Sequence, residues 1–145
     1  MAATSAAEKS GQCLCGAIKF KATPKDNEVA VCHCSMCRRI SAGPFFGADC
    51  GDSVEFENED SLGLYGSSEW AERGFCKKCG SVLFWRLKDG THNHVSLNAF
   101  DEPGETMFST EVFIDEKPEY YSFAQKTQQL TGQEVFALFM GGEEQ

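Results

Sequence analysis

Cys76-Lys77-Lys78-Cys79-Gly80 sets two thiols three positions apart, directly ahead of a glycine. Glycine permits the backbone turn that lets both sulfurs face one ion, so the stretch reads as a zinc knuckle. Upstream, Cys13-Leu14-Cys15-Gly16 places two thiols at i and i+2, and in an extended chain these point to the same side. The two pairs together supply four sulfurs, the complement of a closed tetrahedral structural zinc site. Lys77 and Lys78 offset the negative charge of such a site.

A third group, Cys32-His33-Cys34-Ser35-Met36-Cys37, repeats the i, i+2 pair and adds a third thiol. Three protein ligands leave one tetrahedral position for water or substrate, which separates catalytic from structural zinc. The alternative is a second closed site completed by Cys50 or a histidine. His33 lies between two ligand positions, so in a strand its ring points the other way. Cys50, in the apolar run FFGADC, reads instead as a small buried hydrophobe. Disulfides are disfavoured, because Cys-x-Cys pairs bridge poorly.

Around these motifs the chain reads as many short strands. GAIKFKATP alternates, with Ile18 and Phe20 on one face, and stops at Pro24. EVAVCHC follows as a strand, and SMCRRISAG as a turn or one-turn helix ending at Gly43. PFFGADC and SVEFEN are expected to pair around Gly51-Asp52, with Val54 and Phe56 opposite Glu55 and Glu57 in facing. LGLYG, ERGFC, SVLFWRL, HVSLNAF and STEVFID continue the pattern, and only TGQEVFALF has room for a longer helix. The class is mainly β, built of small antiparallel sheets. Residues 1–11 read as a flexible tail, and residues 12–145 as a single zinc-binding domain.

With 145 residues, ordinary apolar content and twelve Phe, the chain can bury one core. No stretch approaches the roughly 20 apolar residues of a membrane span, and the start lacks the basic and apolar runs of a signal peptide. A cytoplasmic location is expected, where eight cysteines point to metal rather than to disulfides. The formal charge is −9; seven thiolates and two Zn2+ take it to about −12. Such a surface repels phosphates, which argues against nucleic-acid binding.

The series CLCG, CHCSMCRR and FCKKCGS, followed by VFIDEKPEYYSFA, resembles the glutathione-dependent formaldehyde-activating family, which includes the centromere protein V domain. The resemblance covers residues 12 to about 140. It implies a zinc-stabilised, tent-like arrangement of small sheets. It further implies that Cys13, Cys15, Cys76 and Cys79 hold a structural zinc. Cys32, Cys34 and Cys37 then hold a catalytic one, with an exchangeable fourth position.

The implied activity is that of a zinc-dependent carbon-sulfur lyase or adduct-forming enzyme that joins a thiol such as glutathione to an aldehyde. Arg38 and Arg39 directly follow the three-thiol group and are candidates to grip a carboxylate of the thiol in bidentate fashion. Phe45, Phe46, Trp70 and Trp85 are candidate pocket walls that also suit a core, and His92 and His94 read as surface residues. A non-enzymatic zinc module for protein or chromatin binding is the alternative, which the acidic composition disfavours. A methionine sulfoxide reductase would need a reactive cysteine outside the ligand sets, and only Cys50 is left for that part.

Overall fold

The computed structural model describes residues 7–144, and side chains as far as residue 138. Residues 1–6 of the expected tail lie outside the described residues. In chain order the elements are β1 (Lys9–Gln12), β2 (Lys19–Ala22), β3 (Glu28–Cys32), α1 (Ser35–Ser41), β4 (Phe45–Gly51) and β5 (Glu55–Phe56). They continue with β6 (Leu62–Gly66), β7 (Ala71–Cys76), β8 (Val82–Leu87), β9 (Asn93–Ser96), β10 (Met107–Val112), β11 (Gln128–Leu130) and α2 (Gly132–Glu144). Short strands dominate, and the protein is mainly β. No helix among the described residues is long and apolar enough to cross a membrane.

The chain read as one domain forms two compact units. The first combines the described part of Met1–Glu28 with Gly47–Met107. The second combines Val29–Phe46 with the described part of Phe108–Gln145. Each draws on distant stretches of sequence, so no change in composition marks a boundary.

In the first unit β1, β2 and β5 form an antiparallel sheet. Residues Gly47–Gly51 of β4 pair with β9, and β9, β8, β7 and β6 follow in antiparallel order. Ile18, Phe20 and Ala22 are buried while Lys19 and Lys21 are exposed, the two-residue period of a half-buried strand. They meet Cys50, Leu83, Phe84, Val95 and Phe100 in one apolar cluster, with Val54 and Phe56 packed against it. Phe20 stands edge-on to Phe100 at 5.6 Å between ring centroids.

Two expectations are corrected here. Lys9–Gln12 belong to a strand paired with β2 rather than to a tail; KSGQ has no apolar alternation, and its order comes from backbone pairing with a partner that does. The stretches around Gly51-Asp52 do not form a hairpin, since β4 pairs with β9 and β5 with β2. The Ser53 hydroxyl turns the chain between them, donating to Cys50 O at 2.7 Å and accepting from Thr23 N at 2.8 Å.

In the second unit β10 and β11 run parallel, with Thr110 opposite Gln128 and Val112 opposite Leu130, a departure from the all-antiparallel expectation. The long connection of residues 113–127 makes this possible, since parallel strands need a crossover. Phe46, Phe108 and Phe123 pack at mutual centroid distances of 5.1–5.9 Å. Helix α2 opens with a capping box in which Thr131 N donates to Glu134 Oε1 at 2.8 Å and Glu134 N to Thr131 Oγ1 at 3.2 Å.

The contact of β7 with β8 is unforgiving at Gly74, where an added Cβ would lie 2.1 Å from the Phe84 ring. Phe84 is buried at 2% exposure, so the ring has nowhere to go. Gly74→Ala is expected to lower unfolding free energy by about 2–3 kcal/mol in urea titrations, the cost of overpacking a filled core. Gly66→Ala, which meets only the flexible end of Lys88, should change it by less than about 1 kcal/mol.

Candidate metal centres

Cys13, Cys15, Cys76 and Cys79 are brought together in the first unit, all four sulfurs lying within 4.8 Å of one another. Tight turns do this. Gly16 (φ +81°) and Gly80 (φ +82°) are left-handed, and their amides close on Cys13 O at 3.2 Å and Cys76 O at 2.8 Å. A side chain at either glycine would be strained. Backbone amides then point at sulfur: Ile18 N at Cys13 Sγ (3.3 Å), and Lys78 N and Cys79 N at Cys76 Sγ (3.3 and 3.4 Å). Such bonds favour thiolate.

Cys13 Sγ and Cys15 Sγ are 3.7 Å apart, and Cys15 Sγ and Cys76 Sγ 3.8 Å. A tetrahedron with zinc–sulfur bonds of about 2.3 Å has edges of about 3.8 Å, while a disulfide needs about 2.05 Å. The donor set and its spacing therefore fit zinc. The protons are unevenly held. Bonds from the Ser81 hydroxyl and the Ser81 and Cys15 backbone bring the Cys79 thiol down to about 5. Cys15 is pushed up to about 11: the Ala17 amide acts to lower it, but desolvation and the thiols of Cys13, Cys76 and Cys79 outweigh that. Four sulfurs this close cannot all be ionised without a cation among them.

The second cluster stands in the second unit. Cys32 ends β3, Cys34 is the N-cap of α1, and Cys37 lies in its first turn, with the three sulfurs within 4.8 Å of one another. Cys34 Sγ accepts from Cys37 N at 3.3 Å, a capping bond made by a thiol in place of the usual oxygen. Ser35 N is satisfied by Glu116 Oε1 at 2.9 Å. Cys34 and Cys37 are buried and Cys32 is half-buried. Hydrogen bonding first to Cys34 and then to Cys37 drives the Cys32 thiol far upward, which again marks a group of thiols short of positive charge.

The residues considered for a fourth ligand lie elsewhere in their bonding. Cys50 sits in the apolar core of the first unit, and burial together with Asp49 pushes its thiol up to about 12. A thiol in that state also lacks the reactivity of a catalytic cysteine. Both ring nitrogens of His33 are engaged, Nδ1 with the Tyr121 hydroxyl and Nε2 with Glu111 Oε1, each at 2.7 Å. His94 is half-buried against Trp85 at 5.5 Å and His92 is exposed, with neither in a metal-competent group.

Helix α1 also forms one side of a concave pocket of about 650 Å³ lined by Arg38, Arg39, Pro44, Tyr120, Tyr121 and Phe123, among others. Arg38 is steadied by its Nε bond to His33 O at 2.9 Å. None of the three cysteines lines this pocket, although Ser35, between Cys34 and Cys37, does. The expected walls Phe45, Phe46, Trp70 and Trp85 are absent from it. Phe45 is buried, Phe46 joins the phenylalanine cluster, and Trp70 packs edge-on against Trp85 at 6.3 Å. Tyr120, Tyr121 and Phe123 take their place. They come from the stretch PEYYSF, whose aromatic density just after Pro118 was the available signal. Lys117 holds that segment in shape, donating to Pro118 O, Tyr121 O and the Ser122 hydroxyl.

Two thiol clusters that could each hold a metal ion, set in the turns and helix start beside short β-strands, define a cysteine-rich, mainly β scaffold. Residues 8–116 match the family described as glutathione-dependent formaldehyde-activating enzyme. An uncharacterized lyase of Schizosaccharomyces pombe is 38% identical over 130 residues, covering 88% of this chain and 94% of its own. A Halomonas elongata protein provisionally named a glutathione-dependent formaldehyde-activating enzyme is 28% identical over 83 residues, 51% of this chain and 53% of its own. In fold, the crystal structure of a Rhodobacter sphaeroides protein is similar at TM-score 0.57 and 22% identity, over 69% of this chain and 99% of that one. The chain belongs to the glutathione-dependent formaldehyde-activating family.

Cys76 has the most to lose, being fully buried and bonded to two amides. Cys76→Ser is expected to abolish cooperative thermal unfolding of the zinc-loaded protein, because zinc held by four thiolates would contribute about 10 kcal/mol, comparable to the whole stability of a domain. Cys37→Ser, which leaves the four-thiol group whole, should melt cooperatively with a midpoint lowered by about 5–10 °C.

Proposed function

We propose that the protein is a zinc-dependent carbon-sulfur lyase or adduct-forming enzyme, which adds a thiol such as glutathione to an aldehyde such as formaldehyde or reverses that addition. The reading includes two zinc ions per chain: a structural one on Cys13, Cys15, Cys76 and Cys79, and a catalytic one on Cys32, Cys34 and Cys37. Its setting is the cytoplasm, where thiol ligands stay reduced. The observation that carries it is a three-thiol cluster, with no fourth ligand among the described residues, gathered at the start of the short helix that carries two pocket-lining arginines.

In the forward direction the thiol sulfur bonds to the carbonyl carbon, the carbonyl π pair moves to oxygen, and the thiol proton ends on that oxygen. Zinc at the three-cysteine site would supply an open coordination position that favours thiolate over thiol. The gain from ionisation is bounded: a free thiol is already a few per cent ionised at pH 7, so complete ionisation is worth only ~30-fold. Positioning by the protein must supply more, and well-oriented reactants can gain several kcal/mol that way. Arg38 and Arg39 hold the carboxylate end of the thiol, a task suited to planar guanidinium groups. Tyr120, Tyr121 and Phe123 offer an aromatic wall for the remainder of the ligand.

Cobalt substitution tests the central claim. Millimolar glutathione should add a sulfur-to-cobalt charge-transfer band at pH 8 that weakens toward pH 6, since the ligand must be deprotonated to bind. NMR exchange spectroscopy should show the same protein accelerating interconversion of formaldehyde and its glutathione adduct. No new band together with no acceleration would overturn the reading in favour of a non-enzymatic zinc module. Arg38→Lys should raise KM for glutathione about 10-fold with kcat within about threefold, as loss of one bidentate contact removes binding common to ground and transition states.

A further inference from the structure

Three consecutive charged residues, Asp115, Glu116 and Lys117, sit on and just after the 3-10 turn Ile114–Glu116 of the second unit. Three residues per turn set successive side chains about 120° apart, and each finds its own partner. Asp115 Oδ1 accepts from Gly132 N, at the start of α2, at 2.9 Å. Glu116 Oε1 accepts from Ser35 N, at the start of α1, at 2.9 Å. Lys117 donates to Pro118 O, Tyr121 O and the Ser122 hydroxyl at 2.5–3.0 Å, which uses all three donors of an ammonium. The turn itself is tightly held. Phe113 enters it left-handed at φ +55°, a conformation that a bulky residue keeps only where its surroundings over-determine it.

The bonds of Glu116 and Lys117 end on the walls of the arginine–tyrosine pocket. Ser35 lines it from α1 together with Arg38 and Arg39, and Tyr120, Tyr121 and Phe123 line it from the segment after Pro118. Residues 117–127 contain no helix or strand, so no ladder of backbone hydrogen bonds fixes that second wall. Phe123 is anchored in the phenylalanine cluster. Tyr120 is 81% exposed, and its place is set by the turn that Lys117 closes. A wall free to wander holds its binding shape for only part of the time, and apparent affinity falls by that fraction.

On the thiol–aldehyde reading of this pocket, we propose that Glu116 and Lys117 are positioning residues for the thiol. Glu116 fixes the α1 wall and Lys117 the tyrosine wall, so the pocket keeps its ligand-binding shape before a ligand arrives. Neither residue lines the pocket. They act on binding common to ground and transition states, so their effect falls on KM rather than on kcat.

The test combines NMR order parameters with glutathione calorimetry on the zinc-loaded protein. Without ligand, the backbone at Tyr120, Tyr121 and Ser122 should lie near the rigid value of about 0.85, and Lys117→Met should bring it below about 0.6. If that wall then keeps its shape for about a tenth of the time, glutathione binds about 10-fold more weakly and KM rises by the same factor, with kcat within about twofold. Glu116→Ala should weaken binding about 5-fold, the worth of one hydrogen bond. Glu116→Gln keeps an acceptor oxygen for Ser35 N and should bind within about twofold of wild type. Wild-type order parameters below about 0.6 at these residues, affinity unchanged in both Lys117→Met and Glu116→Ala, or a loss carried by kcat with KM unchanged would each overturn the assignment. The wild-type measurement stands even if a variant does not fold. An intact cobalt–glutathione band with affinity unmoved by the substitutions removes the positioning role alone, whereas loss of that band and of catalysis in the wild type removes the thiol–aldehyde reading itself.

Discussion

Thiols crowded within 4.8 Å of each other are the constraint from which most of the local structure follows. Each thiolate raises the cost of ionising the next, seen in the upward displacement of Cys15 and Cys32. A neutral cluster would waste the amides aimed at Cys13, Cys34 and Cys76; a fully ionised one needs a cation at its centre. The left-handed glycines and the thiol N-cap of α1 are the local devices that meet this demand. They turn the chain so that sulfur and amide face the same point.

The two clusters differ in a way that suits different work. The four-thiol group matches the edge of a zinc–sulfur tetrahedron and brings together residues 13 and 79 of the first unit, so an ion held there would crosslink distant parts of the chain. The three-thiol group spans only residues 32–37, and its surroundings are polar and organised. Glu116 bonds the start of α1, Lys117 fixes the tyrosine segment, and Glu111 orients His33. Polar groups buried at 0% and 3% exposure are expensive to keep. They concentrate around one short helix, beside a pocket lined by two arginines and two tyrosines.

Much of this was legible in the sequence, because ligand spacing is a local property. Two residues at i and i+2, or at i and i+3 before a glycine, reach one point whatever the rest of the chain does, so both thiol groups and their membership could be read directly. The strand alternation of Ile18, Phe20 and Ala22 and the capping box Thr131-Gly132-Gln133-Glu134 are local in the same sense. Tertiary contacts decided the rest. Whether β4 turns back on β5 or pairs with β9 depends on partners more than forty residues away, and Lys9–Gln12 are placed by pairing with β2 and by contacts with Phe100 and Asp101. The pocket walls moved from the tryptophans to Tyr120, Tyr121 and Phe123 for the same reason. His33, a weak ligand candidate by position, became the centre of a buried network once Glu111 and Tyr121, 78 and 88 residues distant, closed on its two nitrogens. Hydrogen-bond partners at such separations leave no periodic trace in a sequence, and only the folded chain assigns them.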